Sequence, residues 1–267
     1  MPKGAIDGRA LLRWILLELP EPPWAAGDGG DEPFVGLVYL DPQAGLSAKG
    51  WRAGEPAGGA LVVRLPIGVP GRVLDEAEVA ARGLPATPPW LAEAGPQPPA
   101  DAPWRHDPAL VPRLHARFPD DVQVLVHDGG AHRPRRRPEV CWVRVDGVED
   151  ERARPVSGQP ASTRVYRGVL LSTPRALTSV AAGGVVRFLA DPGGRYALAV
   201  TEAYLAERPH WRITPCAGCG MHEVLDPPSA LAAAQFPDVD ERSQARMFTA
   251  RCPACSGALV LERVDVS

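Results

Sequence analysis

The sequence predicts an α+β fold that is mainly β: a small N-terminal sheet, a central small β-barrel or curved sheet with short helices, and a C-terminal part stapled by cysteines. Three observations carry this. Short runs rich in Val, Leu and aromatic residues recur between Gly, Pro and Asp turns. Helical patterns are brief. Two C-x-x-C doublets, Cys216 to Cys219 and Cys252 to Cys255, stand near the C-terminus.

Arg9 to Leu19 fits a short helix behind Asp7 or a strand ending at Pro20, and periodicity does not separate the two over so short a run. Phe34 to Leu40, closed by Asp41-Pro42, and Ala60 to Leu65, closed by Pro66, read as strands of the first sheet. Asp75 to Arg82 places acids first and a base last, as the helix dipole prefers, and predicts a helical turn. From Pro85 to Pro108 proline is dense enough to bar a regular helix or a central strand. The segment is expected to be an extended linker or a polyproline-like wrap, with Trp90 and Trp104 packed on a neighbour. The expected division is an N-terminal β-rich domain over 1–84, a linker over 85–107, a barrel-like domain over 108–214 and a C-terminal module over 215–267.

Asp107-Pro108 is a start signal for a helix over 109–118. Strand patterns follow at Val122–His127, Val140–Val145, Arg164–Leu171, Val185–Leu189 and Tyr196–Val200, separated by turn signals such as Gly183-Gly184 and Asp191-Pro192-Gly193-Gly194. Strands this short and closely spaced predict a small barrel or strongly curved sheet. Cys141, Val143 and Val145 share one strand face, which makes Cys141 a core thiol. Thr201 to Glu207 reads as a short helix leading through Trp211 to the first doublet. Ala230 to Ala234 predicts another, capped by Ser229.

Hydrophobic content of 45% with 23% charged residues is that of a globular chain. A net charge of −3 supplies no global field toward nucleic acid or an anionic membrane. Lysine occurs only at positions 3 and 49 amid abundant Arg, Ala, Gly and Pro, a usage that points to a GC-rich bacterial coding sequence. The apolar run Trp14–Leu17, bracketed by Arg13 and Glu18, is too short and too charged for a secretory signal or membrane span. A free thiol beside a thiolate cluster fits a reducing compartment, so a cytoplasmic location is expected.

The doublets carry the strongest chemistry. Each C-x-x-C turn sets two sulfurs on one side of a tight loop, and four thiolates in a tetrahedron are what a structural zinc takes. Gly220 follows the first doublet and can take positive φ, whereas Pro253 stiffens the second, with Gly257 after it. His222 is a spare donor, read as an exposed turn residue. A redox pair would need one doublet at a helix start in a βαβ context, which is missing. A four-cysteine site leaves no position for water or substrate, so catalytic zinc is not expected.

With strand patterns at Arg246–Arg251 and Ala258–Val264, Cys216, Cys219, Cys252 and Cys255 resemble the zinc-ribbon family over the last fifth of the chain. The resemblance implies a metal-stabilised hairpin assembly without catalytic competence. Residues 220–251 between the doublets exceed the family's usual roughly 15–20. Trp142-Val143-Arg144-Val145, Gly168-Val169-Leu170-Leu171-Ser172-Thr173-Pro174 and Gly184-Val185-Val186-Arg187-Phe188 resemble a YegJ-like bacterial domain of unknown function. Val185 stands where that family's turn carries an aspartate. The second resemblance implies an accessory or immunity-like protein, and binding over catalysis.

No G-x-S-x-G, H-E-x-x-H or phosphate loop is present, and the glycines at 27–30 lack a strand before them and a helix after them. His127 with Asp128, His210 and Glu202 are acids and bases without a partner constellation. The expected function is therefore a non-enzymatic, zinc-stabilised binding protein that engages a protein partner. The alternative is nucleic-acid binding through Arg133, Arg135, Arg136 and Arg137, which sit in one loop and could neutralise phosphates, with Asp120, Asp121, Asp128 and Glu139 on either side. An enzyme acting on an unidentified substrate is the third reading.

Overall fold

The computed structural model describes residues 4–18, 33–52, 60–65, 68–129, 138–149, 164–191, 194–237 and 246–264. The chain divides into two units, Met1–His106 with His115–Pro119, and Asp107–Leu114 with Asp120–Ser267.

In the first unit β1 (Gly4–Ala5), β2 (Trp14–Leu17), β3 (Phe34–Asp41), β4 (Gly45–Arg52), β5 (Leu61–Arg64) and β6 (Pro70–Val73) form one sheet in the order β1-β6-β2-β3-β4-β5. The ambiguous run at 9–19 resolves as a 3-10 turn at Gly8–Ala10, with Asp7 accepting the Arg9 N–H, followed by strand β2. β3 is covered on both faces, which is why it is apolar nearly throughout. Phe34 and Val38 join a cluster with Ile15, Leu17 and Leu46, whereas Val35 and Leu37 join Trp14, Leu74 and Leu84.

β4 has no β-branched residue, and the sequence pattern does not reveal it. Its place is set by pairing with β3 from Phe34↔Arg52 to Asp41↔Gly45. Gly50 permits the close approach, because a Cβ there would lie 1.9 Å from the Val35 carbonyl oxygen. The helix expected at 75–82 forms as α1 (Glu76–Ala81), and it carries a reciprocal cap between Asp75 and Glu78. The proline-rich segment forms 3-10 turns at Pro89–Ala94 and Pro103–His106. The Trp90 ring stands edge-on to Tyr39 at 5.3 Å with the Lys49 ammonium 4.8 Å above it, and Trp104 is buried.

Next come β7 (Leu114–His115), β8 (Phe118–Val126), β9 (Glu139–Glu149), β10 (Val165–Leu170), β11 (Val185–Leu189) and β12 (Ala197–Ala199). β8 to β12 pair in sequence order, each antiparallel to the next, and β12 closes on β8. An odd number of alternating strands brings first and last to the same direction, so closure has to be parallel. That is what Ala197↔Val124 and Leu198↔Leu125 show. Opposite Arg167 and Gly168 the register skips Asp146, a bulge that bends β9. The barrel expected from strand spacing is present, and Cys141 is buried on its inner face with Val143 and Val145.

Two local expectations fail in this stretch. No helix covers 109–118; Asp107 caps only a tight turn, and the chain makes a 3-10 turn at Val111–Arg113 before β7. Pro112 offers no N–H to continue a helix. β8 also starts at Phe118, through residues that read as a turn, because Asp121 sits directly opposite Arg144 on β9 and bonds it at 2.8 Å.

The C-terminal part holds α2 (Glu202–Glu207), β13 (Trp211–Ile213), α3 (Pro228–Gln235), β14 (Met247–Arg251) and β15 (Ala258–Arg263), with the last three strands of the chain ordered β13-β15-β14. Thr201 caps α2. Ser229 does not cap α3; it lies inside the first turn, where its N–H and hydroxyl donate to the Glu207 carboxylate. A single apolar cluster runs from the barrel, through Leu125, Val165, Leu189 and Leu198, to Trp211, Met221, Leu259 and Leu261.

Candidate metal centre

The two doublets form matching turns. In the first, the Cys216 N–H donates to the Met221 carbonyl and the Gly220 N–H to the Cys216 carbonyl; in the second, Cys252 donates to Gly257 and Ser256 to Cys252. The residue four after the leading cysteine is left-handed in both, Gly220 at φ 75° and Ser256 at φ 63°. Gly220 thus has the expected role, but Ser256 takes that position in the second turn. Gly257 is needed for a different reason. A Cβ on it would stand 2.8 Å from Cys216 Sγ and 3.3 Å from Cys255 Sγ.

These turns face each other across the end of the hairpin β14–β15 and the strand β13. Cys216 Sγ lies 3.4 Å from Cys255 Sγ and Cys219 Sγ 3.4 Å from Cys252 Sγ, and all four sulfurs fall within 4.8 Å of one another. A regular tetrahedron with metal–sulfur bonds of ~2.3 Å has edges of ~3.8 Å, so the cluster fits one ion. The Gly218 N–H, against burial and together with the Cys219 N–H, pulls the Cys216 thiol down to about 7. Burial pushes Cys252 up to about 12 and also raises Cys219. Four thiols this close do not all ionise without a cation, and a divalent metal supplies the charge that expels their protons.

Replacing Gly257 with alanine is expected to weaken metal affinity roughly 10–100-fold, the usual cost of disturbing the shell around a ligand set. Competition against a colorimetric chelator checks this. Wild-type affinity in the variant would show that the sulfur at Cys216 moves aside freely.

No family model, curated protein or solved structure matches the chain. The zinc-ribbon resemblance therefore stands on the cysteine geometry, and the YegJ-like resemblance gains no support.

His222 is not the exposed turn residue expected. Its N–H donates to the carboxylate of Asp191, whose side chain is 1% exposed, and its Nδ1 lies 3.2 Å from the same group. It is anchored beside the knuckle and is not part of the four-sulfur cluster. Behind the centre, Arg208 grips Glu223 at 2.7 and 3.0 Å, Tyr204 donates its hydroxyl to the same carboxylate, and Arg208 also reaches the Trp211 carbonyl at 2.8 Å. Nothing in the sequence links residues 15 apart in this way, so the network escapes pattern reading.

Arg133, Arg135, Arg136 and Arg137 lie outside the described residues. Besides Asp121, two more of the acids beside that loop do structural work. Glu139 accepts the N–H groups of Arg175, Ala176 and Leu177, which hold its carboxyl below the usual range, and Asp128 accepts from Thr178 and Ser179. His127 accepts the Gly129 N–H and sits 3.8 Å from the Asp226 carboxylate, while the Asp128 carboxylate is engaged by Thr178 and Ser179. Among the described residues no helix is long and apolar enough to cross a membrane.

Proposed function

We propose that this is a non-enzymatic bacterial binding protein of the cytoplasm whose C-terminal ribbon is held by one structural zinc and which engages a protein partner. The observation that carries the reading is the convergence of four sulfurs from two matching turns, a donor set that satisfies a tetrahedral ion and leaves no position for substrate. Thiolates favour zinc over the hard cations.

The partner surface we assign is the outer face of β9, β10 and β11. Val169 pairs with Arg144 on one side and Val185 on the other, and the Leu171 N–H bonds the Trp142 carbonyl, which brings Val140, Trp142, Val169, Leu171 and Val185 onto one face. Val185 is 63% exposed, Val140 42% and Leu171 40%, exposed large apolar side chains of the kind that mark protein contacts.

Metal analysis of purified protein is expected to give one zinc per chain. Val185→Arg is expected to abolish capture of a protein that the wild-type chain retains from a bacterial lysate, with an unchanged unfolding temperature. Equal capture by both chains would reject this face, and metal-free folded protein would reject the zinc reading.

A further inference from the structure

A cleft is lined by residues other than the four cysteines. Asp107, Pro108, Pro112, Arg113, Tyr166 and Arg195 are among the residues bounding this cleft of about 630 Å³, within the ~300–1,000 Å³ usual for small-molecule sites. Arg113 is fixed in its wall: Nη1 donates to the Ala109 carbonyl and Nη2 to the carbonyls of Asp191 and Gly194. Its Nε is buried and has no acceptor. Tyr166, fully buried, brings its hydroxyl to the same cleft beside Asp107, again without a well-formed hydrogen bond. Burial first, and then the Asp107 carboxylate, keep this phenol protonated, so it remains a donor.

A buried donor with no acceptor, Arg113 Nε, next to a buried phenol whose one neighbouring acceptor is the Asp107 carboxylate is uncommon in folded proteins, where such groups are nearly always paired. The charge around them is positive. Arg113, Arg164 and Arg195 stand against Asp107, which is occupied by Arg164 at 2.9 Å and by the Ala109 N–H at 2.9 Å. The nearby Asp191 carboxylate is turned to His222. A ligand here must accept hydrogen bonds and carry negative charge, while Pro108, Pro112 and Ala190 offer an apolar wall to the rest of it.

We propose that this cleft binds a small organic anion, with its phosphate or carboxylate oxygens received by Arg113 Nε, the Tyr166 hydroxyl and the Arg195 guanidinium. Arg195 is exposed, so its removal tests binding without disturbing the core.

The experiment is calorimetric titration of the whole zinc-loaded chain with glycerol 3-phosphate, with citrate and with a short single-stranded oligonucleotide. Saturable one-to-one binding of a small anion is expected, weakened about tenfold or more by Arg195→Ala and by Tyr166→Phe, the loss that follows removal of one hydrogen bond to a charged group. Unfolding temperatures of both variants should match wild type. Preference for glycerol 3-phosphate assigns a phosphate and preference for citrate a carboxylate; either supports the site. No saturable binding of either small anion at millimolar concentration, binding undiminished in both variants, or tighter binding of the oligonucleotide would each overturn it.

Discussion

Stripping the ion proposed for the four-cysteine site with a strong chelator, or replacing Cys252 with serine, is expected to unfold the C-terminal strands and destabilise the barrel with them. The three strands β13, β15 and β14 span 3, 6 and 5 residues, too little to hold a sheet on their own. Structural zinc in comparable small modules contributes an apparent ~10–16 kcal/mol, and that binding energy is folding energy. The damage spreads because Trp211, Met221, Leu259 and Leu261 share one apolar cluster with Leu125, Val165, Leu189 and Leu198 of the barrel. A loss of at least ~5 kcal/mol should lower the unfolding temperature by roughly 10–20 °C in a unit of this size. Trp211, edge-on to Phe248 at 5.6 Å, is the local reporter, and its fluorescence should shift toward that of exposed indole. An unchanged melting curve in demonstrably metal-free protein would mean that apolar packing alone holds the ribbon.

The legible parts of this chain were those in which chemistry and pattern coincide. Two C-x-x-C doublets announce a cluster whatever lies between them, and the run at Val140–Val145 sorts Cys141 and Trp142 to opposite faces by alternation alone. The barrel followed from strand spacing because each strand pairs with its neighbour in sequence. What stayed hidden depended on partners far along the chain. Gly45–Arg52 is a strand only because β3 offers it a complete partner, and Phe118–Asp121 is extended because Arg144 waits across the ladder. The 109–118 helix signal at Asp107-Pro108 was overridden once Pro112 broke the ladder and Arg113 was drawn to the Asp191 and Gly194 carbonyls. Acids that read as a charge flank to the arginine loop instead hold the 175–179 segment, a use with no signature in spacing.

Arg208→Ala is expected to be the most damaging change outside the cysteines. Both side chains of its pair are withdrawn from water, Arg208 at 9% and Glu223 at 3% exposure. Burial works against the guanidinium charge, and Glu223 more than offsets it, so the Arg208 pKa lies above its ordinary value. Burial and the same carboxylate raise the Tyr204 phenol. Truncating one member of such a pair leaves the other charged and unsolvated, at a cost of about 3–5 kcal/mol, or roughly 6–20 °C in unfolding temperature. The arginine also supplies a donor to the Trp211 carbonyl at the start of β13, so the loss falls where the ribbon joins the barrel. Adding Glu223→Gln to Arg208→Ala should recover part of the deficit, because glutamine keeps an acceptor for Tyr204 while removing the stranded charge. Urea unfolding of the two single variants and the double variant measures the coupling directly. Simple additivity of the two losses would show that the pair is solvated in solution and that the ribbon's attachment rests on the apolar cluster and the metal.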